Sequence, residues 1–235
     1  NMHINDTLIC GDGLCNLEVV EMVVKDGPKR VLELIDWGAN FDKNIAGNLD
    51  LGREGGHTKN RVVHHKDHTG IEIERIILEE THRSKNIILL DFHFALELIV
   101  KNNRCLGSYV LNEKTNEILI FKADFTILAT GGIGQVYGHT TNPIIATGDG
   151  IAMANRAKAK IMDMEFIQFH PTALYTKEHK STFLISEAVR GFGAYLRTKN
   201  GKRFMLDYDS RGELASRDIV SRSIVKELKK SKDVC

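Results

Sequence analysis

The sequence predicts an α/β fold with an antiparallel β-meander, continuing into part of a second, α+β portion. Apolar residues recur at helical spacing near the start, around residue 75, after residue 149 and at the end of the chain. Between the second and third of these lies a dense series of strand-like runs separated by short polar turns. The last run passes directly into Thr130-Gly131-Gly132. A buried strand ends this way when a ligand or another backbone must approach its carboxyl end.

Taken in order, Leu17 to Val24 and Pro28 to Trp37 read as two short helices, broken at Gly27-Pro28 and stopped at Gly38. From Asn40 to Asp67 the periodicity gives way to Gly, Asn, His and basic residues, and so long an irregular stretch is usually functional or disordered. Gly70 to Glu80 predicts another helix. Strands are expected at Asn86 to Phe92, Ala95 to Val100, Gly107 to Leu111, Glu117 to Lys122 and Phe125 to Ala129, with connections such as Asn112 to Asn116 short enough for antiparallel pairing. Gly150 to Ala159 and Ser216 to Lys230 predict helices, separated by a mixed region rich in His, Arg, Glu and Gly. A domain boundary is expected near Asp163, dividing residues 1–163 from 164–235.

With 235 residues, 42% apolar and 27% charged, the chain is neither disordered nor a disulfide mini-protein, and 20 Gly with 3 Pro exclude a collagen-like repeat. Lys plus Arg is 32 and Asp plus Glu is 31. The net charge of +1 gives no case for nucleic acid or an anionic membrane as partner. The cluster Lys226, Lys229, Lys230 and Lys232 is expected to be the solvated face of the last helix. No apolar run approaches the roughly 20 residues of a membrane span. Asn1 to Asp6 lacks a basic and apolar leader pattern, so a soluble, cytoplasmic protein is expected. Cys10, Cys15, Cys105 and Cys235 form no CxxC pair and are expected to be reduced, incidental thiols.

The chemistry concentrates in a few segments. In Ala129 to Gly134 the missing side chains suit either a tight turn or the approach of backbone N–H groups to a phosphate or a flavin edge. Thr147 to Ala154 opens a helix with a Gly-flanked carboxylate, Asp149, which is either an ordinary cap or an acceptor for cofactor hydroxyls beside a phosphate-binding helix N-terminus. No complete GxGxxG exists: Gly148-Asp149-Gly150 lacks its third glycine, as do Gly132-Ile133-Gly134 and Gly191-Phe192-Gly193.

Arg53-Glu54-Gly55-Gly56-His57 is either a solvated turn or a clamp for a small zwitterion, with Arg53 or His57 on a carboxylate and Glu54 on an ammonium. His170 lies among Phe166, Phe169 and Pro171 and reads as a core histidine or a ligand-contacting one. Glu187 and Arg190 are i and i+3, so on a helix they form a surface ion pair or pass a proton. His64 and His68 have i, i+4 spacing, but without HExxH or a supporting Cys no metal site is assigned.

ATGG, TTNP, TGDGIAMA, EFIQFHPTALY, EAVRG and SRDIV, in this order over nearly the whole chain, resemble the succinate dehydrogenase and fumarate reductase flavoprotein family. REGGH, together with RFM and RGEL before SRDIV, resembles the branch of that family that oxidises L-aspartate. The resemblance implies a partial FAD-binding, Rossmann-like domain with its meander plus part of a capping domain. It implies non-covalent FAD and oxidation of L-aspartate to iminoaspartate, the first step of de novo NAD synthesis, with the product passed to quinolinate synthase. By that match Thr130, Gly131, Gly132, Asp149 and Gly150 border the FAD, and Phe94 and Ala95 contact its adenine side through backbone. His170, Ser186, His57 and Glu54 face the substrate. Arg217 corresponds to the family's proton-transferring arginine, with Glu187 and Arg190 as its relay.

Glu54 stands where the dicarboxylate dehydrogenases have no acid, which marks an amino-acid substrate: a carboxylate repels succinate and pairs with an ammonium. The alternatives are a soluble fumarate reductase or succinate dehydrogenase flavoprotein, and a non-catalytic fragment of one. The family's usual Thr is Ser186 here, and its R-G-E-G reads Arg190-Gly191-Phe192-Gly193, without the acid beside the relay. The family's N-terminal dinucleotide fingerprint and C-terminal substrate residues have no counterpart, so an internal piece of such a flavoprotein is expected.

Overall fold

The structure is a computed structural model that describes residues 1–175 and 182–231. Lys232 and Cys235 lie outside the described residues. In chain order the elements are helices α1 (Met2–Cys10) and α2 (Leu17–Trp37), strands β1 (Leu51–Gly52) and β2 (Val62–Val63), helix α3 (Thr69–Arg83), strands β3 (His93–Lys101), β4 (Arg104–Asn112) and β5 (Glu117–Lys122), and helices α4 (Asp149–Arg156), α5 (Glu187–Gly191) and α6 (Arg217–Ser231). They fall into two compact units. One comprises 1–87, 169–172 and 185–235, the other 88–168 and 173–184.

In the first unit the expected break at Gly27-Pro28 does not occur, and α2 runs through it. An interior proline removes one hydrogen bond and costs about 3 kcal/mol relative to alanine. Opposing that cost, half-buried Val20, Val24, Gly27, Val31, Leu34 and Ile35 keep one continuous stripe at spacings of three and four. Arg30 also pairs across the proline with Asp26, 3.0 Å away. The helix stops where expected, at Gly38, whose φ of +108° is left-handed. Val31, Leu34 and Ile35 pack on a small core of Ala39, Phe41 and Ile76.

The stretch after α2 is irregular but pinned. Glu72 of α3, nearly buried, accepts hydrogen bonds from the Asn40 N–H at 2.6 Å and from Arg75. The antiparallel pair β1–β2 turns the chain back before α3. The helix begins at Thr69, so His64 and His68 are not in helical register. His64 Nδ1 instead lies 3.0 Å from Asp42. A second core, Phe204, Met205, Ala215 and Val220, seats α6 against the turns that precede it. Lys230 on α6 donates to the Tyr208 hydroxyl and to Glu227.

The second unit is built on the sheet β3-β4-β5, the expected antiparallel meander. Gly107 in β4 takes φ +138°, and a Cβ there would lie 1.8 Å from the Phe121 carbonyl oxygen, so only glycine lets β5 close on β4 at this point. Arg156 of α4 pairs with Glu97 of β3. The strands expected at Asn86 to Phe92 and Phe125 to Ala129 do not form. A strand needs a ladder, and among the described residues no segment pairs with either run. Ile88, Phe125 and Ile127 are instead exposed. No helix among the described residues is long and apolar enough to cross a membrane.

The hydrogen bonds from Arg75 and from the Asn40 N–H hold the Glu72 carboxyl down at about 2, from an ordinary 4.5. Its contribution is therefore complete above the unfolded value and is lost as pH falls toward 2. Glu72→Gln is expected to lower stability at neutral pH and to flatten the loss between about pH 4.5 and 2, measured by circular dichroism at a series of pH values. An unchanged slope would contradict this assignment.

Candidate active site

The substrate-facing residues expected from the sequence converge in the first unit. Ser186 caps α5, its Oγ accepting from the Ala188 N–H at 3.2 Å. This single helical turn turns Glu187 and Arg190 inward, where they are 6% and 4% exposed. The pair is therefore not at the surface. Three backbone approaches bury it. The Gly55 N–H donates to Glu187 Oε1 at 3.0 Å, Arg190 Nη1 donates to the Glu213 carbonyl at 2.8 Å, and Gly191 sits so close to Arg53 that a Cβ would lie 2.9 Å from its carbonyl oxygen.

Arg217, the first residue of α6, donates from Nε to Glu187 Oε2 at 2.5 Å. Its Nη2 lies 3.7 Å from Glu54 Oε2. Arg190 Nη2 stands 3.6 Å from Glu187 Oε1. One buried carboxylate thus lies between two guanidiniums, and a second, partly exposed carboxylate reaches the outer one. Among the described residues, buried Arg190 Nε and Nη2 have no hydrogen-bond partner. Burial lowers the Arg190 pKa below the ordinary guanidinium value, against the pull of Glu187. That moves a poor proton donor in the direction of exchange.

His170 is half-buried, its Nδ1 2.9 Å from the Thr172 carbonyl oxygen. Burial lowers its pKa despite the Thr172 hydrogen bond, and the charges of Arg217 and Arg190 add to the effect, so the ring is neutral at pH 7. His57 is likewise lowered, first by burial and then by Arg61. Its Nδ1 faces the Glu54 N–H at 3.4 Å, and its carbonyl accepts from Arg53 Nε at 2.7 Å. The loop Arg53 to His57 therefore closes on itself, with Glu54 presented toward Arg217. Phe192, at the position of the family's acid, is 94% exposed.

Sequence reading missed the groups that hold this arrangement. Glu213, buried, takes Arg203 through both Nε and Nη2 and also accepts the Leu196 N–H. Asp6, 4% exposed, accepts from Thr58 and Arg61. RGEL marks Glu213 only as part of a motif, and nothing in the N-terminal segment ties Asp6 to residues more than fifty positions away.

The cofactor-facing expectations fall in the second unit. Gly131 is left-handed at φ +76°, and a Cβ there would meet nothing within 4 Å. A Cβ on Gly150 would lie 1.9 Å from Thr130 Oγ1, so the absent side chain lets the N-terminus of α4 rest against the glycine loop. Asp149 accepts from the Thr147 hydroxyl at 2.6 Å. Open backbone beside a helix N-terminus suits a phosphate-bearing group. Phe94 and Ala95 lie on β3, an edge strand of the described sheet, with a register shift between Ala95 and Glu97. Among the described residues no group of three or more His, Cys, Asp or Glu could hold a metal ion.

The glycine loop at the start of α4 suits a nucleotide cofactor, and the family comparison makes the chain a flavoprotein segment. The FAD binding domain family matches residues 1–234, and the chain belongs to it. It is 49% identical to the chloroplastic L-aspartate oxidase of Arabidopsis thaliana, over 97% of this chain and 37% of the relative. It is 43% identical to the L-aspartate oxidase of Vibrio cholerae, over 97% of this chain and 44% of the relative. Among solved structures, an E. coli quinol fumarate reductase FrdA variant superposes with a TM-score of 0.91 at 30% identity, covering all of this chain and 41% of that one. Mycobacterium smegmatis Sdh1 superposes at 0.77 with 35% identity, covering 97% of this chain and 40% of that one. The chain thus spans less than half the length of these relatives. The fold is that of part of an α/β FAD-binding domain with its meander plus part of a capping domain, and FAD is its cofactor.

A Cβ on Gly55 would stand 2.5 Å from Glu187 Oε1 and 3.1 Å from the Ala215 carbonyl oxygen. Gly55→Ala is expected to cost about 1–3 kcal/mol in urea unfolding. Gly70→Ala, inside α3 with nothing within 4 Å, is expected to gain up to about 1 kcal/mol. Equal effects of the two changes would contradict the packing described.

Proposed function

We propose that the protein oxidises L-aspartate to iminoaspartate. The observation that carries this reading is Glu54. Its carboxylate faces Arg217 across 3.7 Å, on a loop whose backbone is fastened to Glu187. A partly exposed acid at the rim of an arginine cluster can pair with a substrate ammonium while the arginines take carboxylates. The 43–49% identity to L-aspartate oxidases supports it further.

Bound FAD supplies a two-electron acceptor for the hydride leaving the substrate Cα. Thr130, Gly131, Gly132, Asp149 and Gly150 hold that cofactor in this reading, with Phe94 and Ala95 along the edge strand. His170, Ser186 and His57 orient the substrate carboxylates, fixing the Cα hydrogen, which is mainly a positioning effect. As the C=N bond forms, the substrate nitrogen gives up a proton. Arg217 passes it on through Glu187 and Arg190. A guanidinium exchanges protons poorly on its own, so contact with a buried carboxylate is what makes Arg217 usable.

The proposal extends to the first step of de novo NAD synthesis, to quinolinate synthase as the consumer of the product, and to an intracellular, cytoplasmic setting with FAD bound non-covalently. The likeness to fumarate reductase and succinate dehydrogenase structures keeps a dicarboxylate dehydrogenase as the alternative.

In the full-length protein, Glu54→Gln is expected to lower kcat/KM for L-aspartate about tenfold or more, while fumarate reduction by the same preparation changes little. Steady-state assays of both reactions on FAD-containing protein decide it. Equal loss in both would remove the ammonium role, and oxidation of succinate but not aspartate by the unaltered protein would establish the alternative.

A further inference from the structure

Helix α1 contributes one buried side chain, and it is an acid, Asp6. A single oxygen, Oδ2, takes three donors: the Thr58 N–H at 2.9 Å, the Thr58 hydroxyl at 3.0 Å and Arg61 Nη2 at 2.6 Å. All three belong to the four residues that follow Arg53-Glu54-Gly55-Gly56-His57. On its other side the loop is fastened by the Gly55 N–H to Glu187 and by the Gly56 N–H to the Leu214 carbonyl at 3.1 Å. At its base the Arg61 N–H returns to the Gly52 carbonyl at 3.0 Å, closing the connection between β1 and β2.

The loop therefore has two anchors of different origin. One is Glu187 together with the Leu214 carbonyl, which hold Gly55 and Gly56. The other is Asp6, which holds the limb descending from His57. Arg61 ties the second anchor to the site electrostatically: its charge is among the influences acting on His57. Among the described residues Arg61 Nε is buried without a hydrogen-bond partner, and the guanidinium's ion pair is with Asp6, through Nη2 at 2.6 Å. Removing Asp6 leaves a largely buried guanidinium uncompensated and frees Thr58, and the strain falls on the limb carrying His57. His57 in turn sets Glu54 through the contact of its Nδ1 with the Glu54 N–H.

We propose that Asp6 is a positioning residue for substrate discrimination: through Thr58 and Arg61 it fixes the descending limb of the loop so that Glu54 stands where a substrate ammonium binds. The inference rests on the reading of Glu54 as the ammonium partner. Asp6 touches neither substrate nor cofactor in this scheme. Its removal should affect the substrate that carries an ammonium more than one that lacks it.

The test compares the full-length holoenzyme with Asp6→Asn and Asp6→Glu, measuring FAD content, L-aspartate oxidation and fumarate reduction on the same preparations. Asp6→Asn is expected to lower kcat/KM for L-aspartate about tenfold, mainly through KM, with fumarate reduction within about twofold of the unaltered protein. Asp6→Glu, which keeps the charge, is expected to recover most of the loss. Should Asp6→Asn fail to retain FAD, Thr58→Val, which removes only the hydroxyl donor, is read by the same ratio, with an expected shift of about threefold. Parallel loss of both activities, or an unchanged ratio in a variant that retains FAD, overturns the positioning role. A full-length protein that oxidises no aspartate, or whose Glu54→Gln variant keeps the ratio, fails at the earlier step, so the two failures are told apart.

Discussion

The buried carboxylate of Glu187 is the point on which the first unit depends. Its two oxygens are divided between the loop that follows β1, through the Gly55 N–H, and the start of α6, through Arg217. Arg190 stands beside it on the same short helix. A carboxylate so enclosed is tolerable only because each oxygen faces a donor or a positive charge. The arrangement therefore requires the loop, α5 and α6 to arrive together. Gly55 gives way to the Glu187 carboxylate and Gly191 to the Arg53 carbonyl, and their small size is a condition of the cluster.

The helices were largely legible in the sequence because helical periodicity is a local signal. Where the reading went wrong, a nonlocal term decided the outcome. Pro28 looked like a boundary, but the apolar stripe from Val20 to Ile35 and the Arg30 ion pair continue across it, so packing on Phe41 and Ile76 outweighed one missing hydrogen bond. The runs at Asn86 to Phe92 and Phe125 to Ala129 have strand-like composition, yet composition supplies no partner, and without a ladder they remain irregular. The meander was legible because each of its strands finds its neighbour within a short turn.

The candidate site shows the same division. Glu54, Glu187, Arg190, His170 and Arg217 could be picked out as chemistry-bearing residues, and the family resemblance gave them an order. What the chain order could not convey is that Glu187 and Arg190 lie inside, or that Asp6 and Glu213 brace the segments around them. Spacing of three along a helix says that two side chains share a face; whether that face meets water or backbone depends on Arg53, Gly55 and Glu213, all distant in sequence. In the second unit the glycines were visible as a pattern, while the close seat of Gly150 against Thr130 depends on residues twenty positions apart in the chain.

The connection between β1 and β2 carries Glu54 but not the relay. Its stem is sealed by the Arg61 N–H on the Gly52 carbonyl, and its flanks are held by Asp6 and Glu187. In the proposed reading the relay residues lie on α5 and at the start of α6, and the selective group lies on a hairpin loop. Position 54 enters that cluster only through its side chain, whereas the backbone of the same loop, at Gly55, is what Glu187 holds. On the proposed reading, a side-chain change at this one loop position is the shortest route between substrates with and without an amino group.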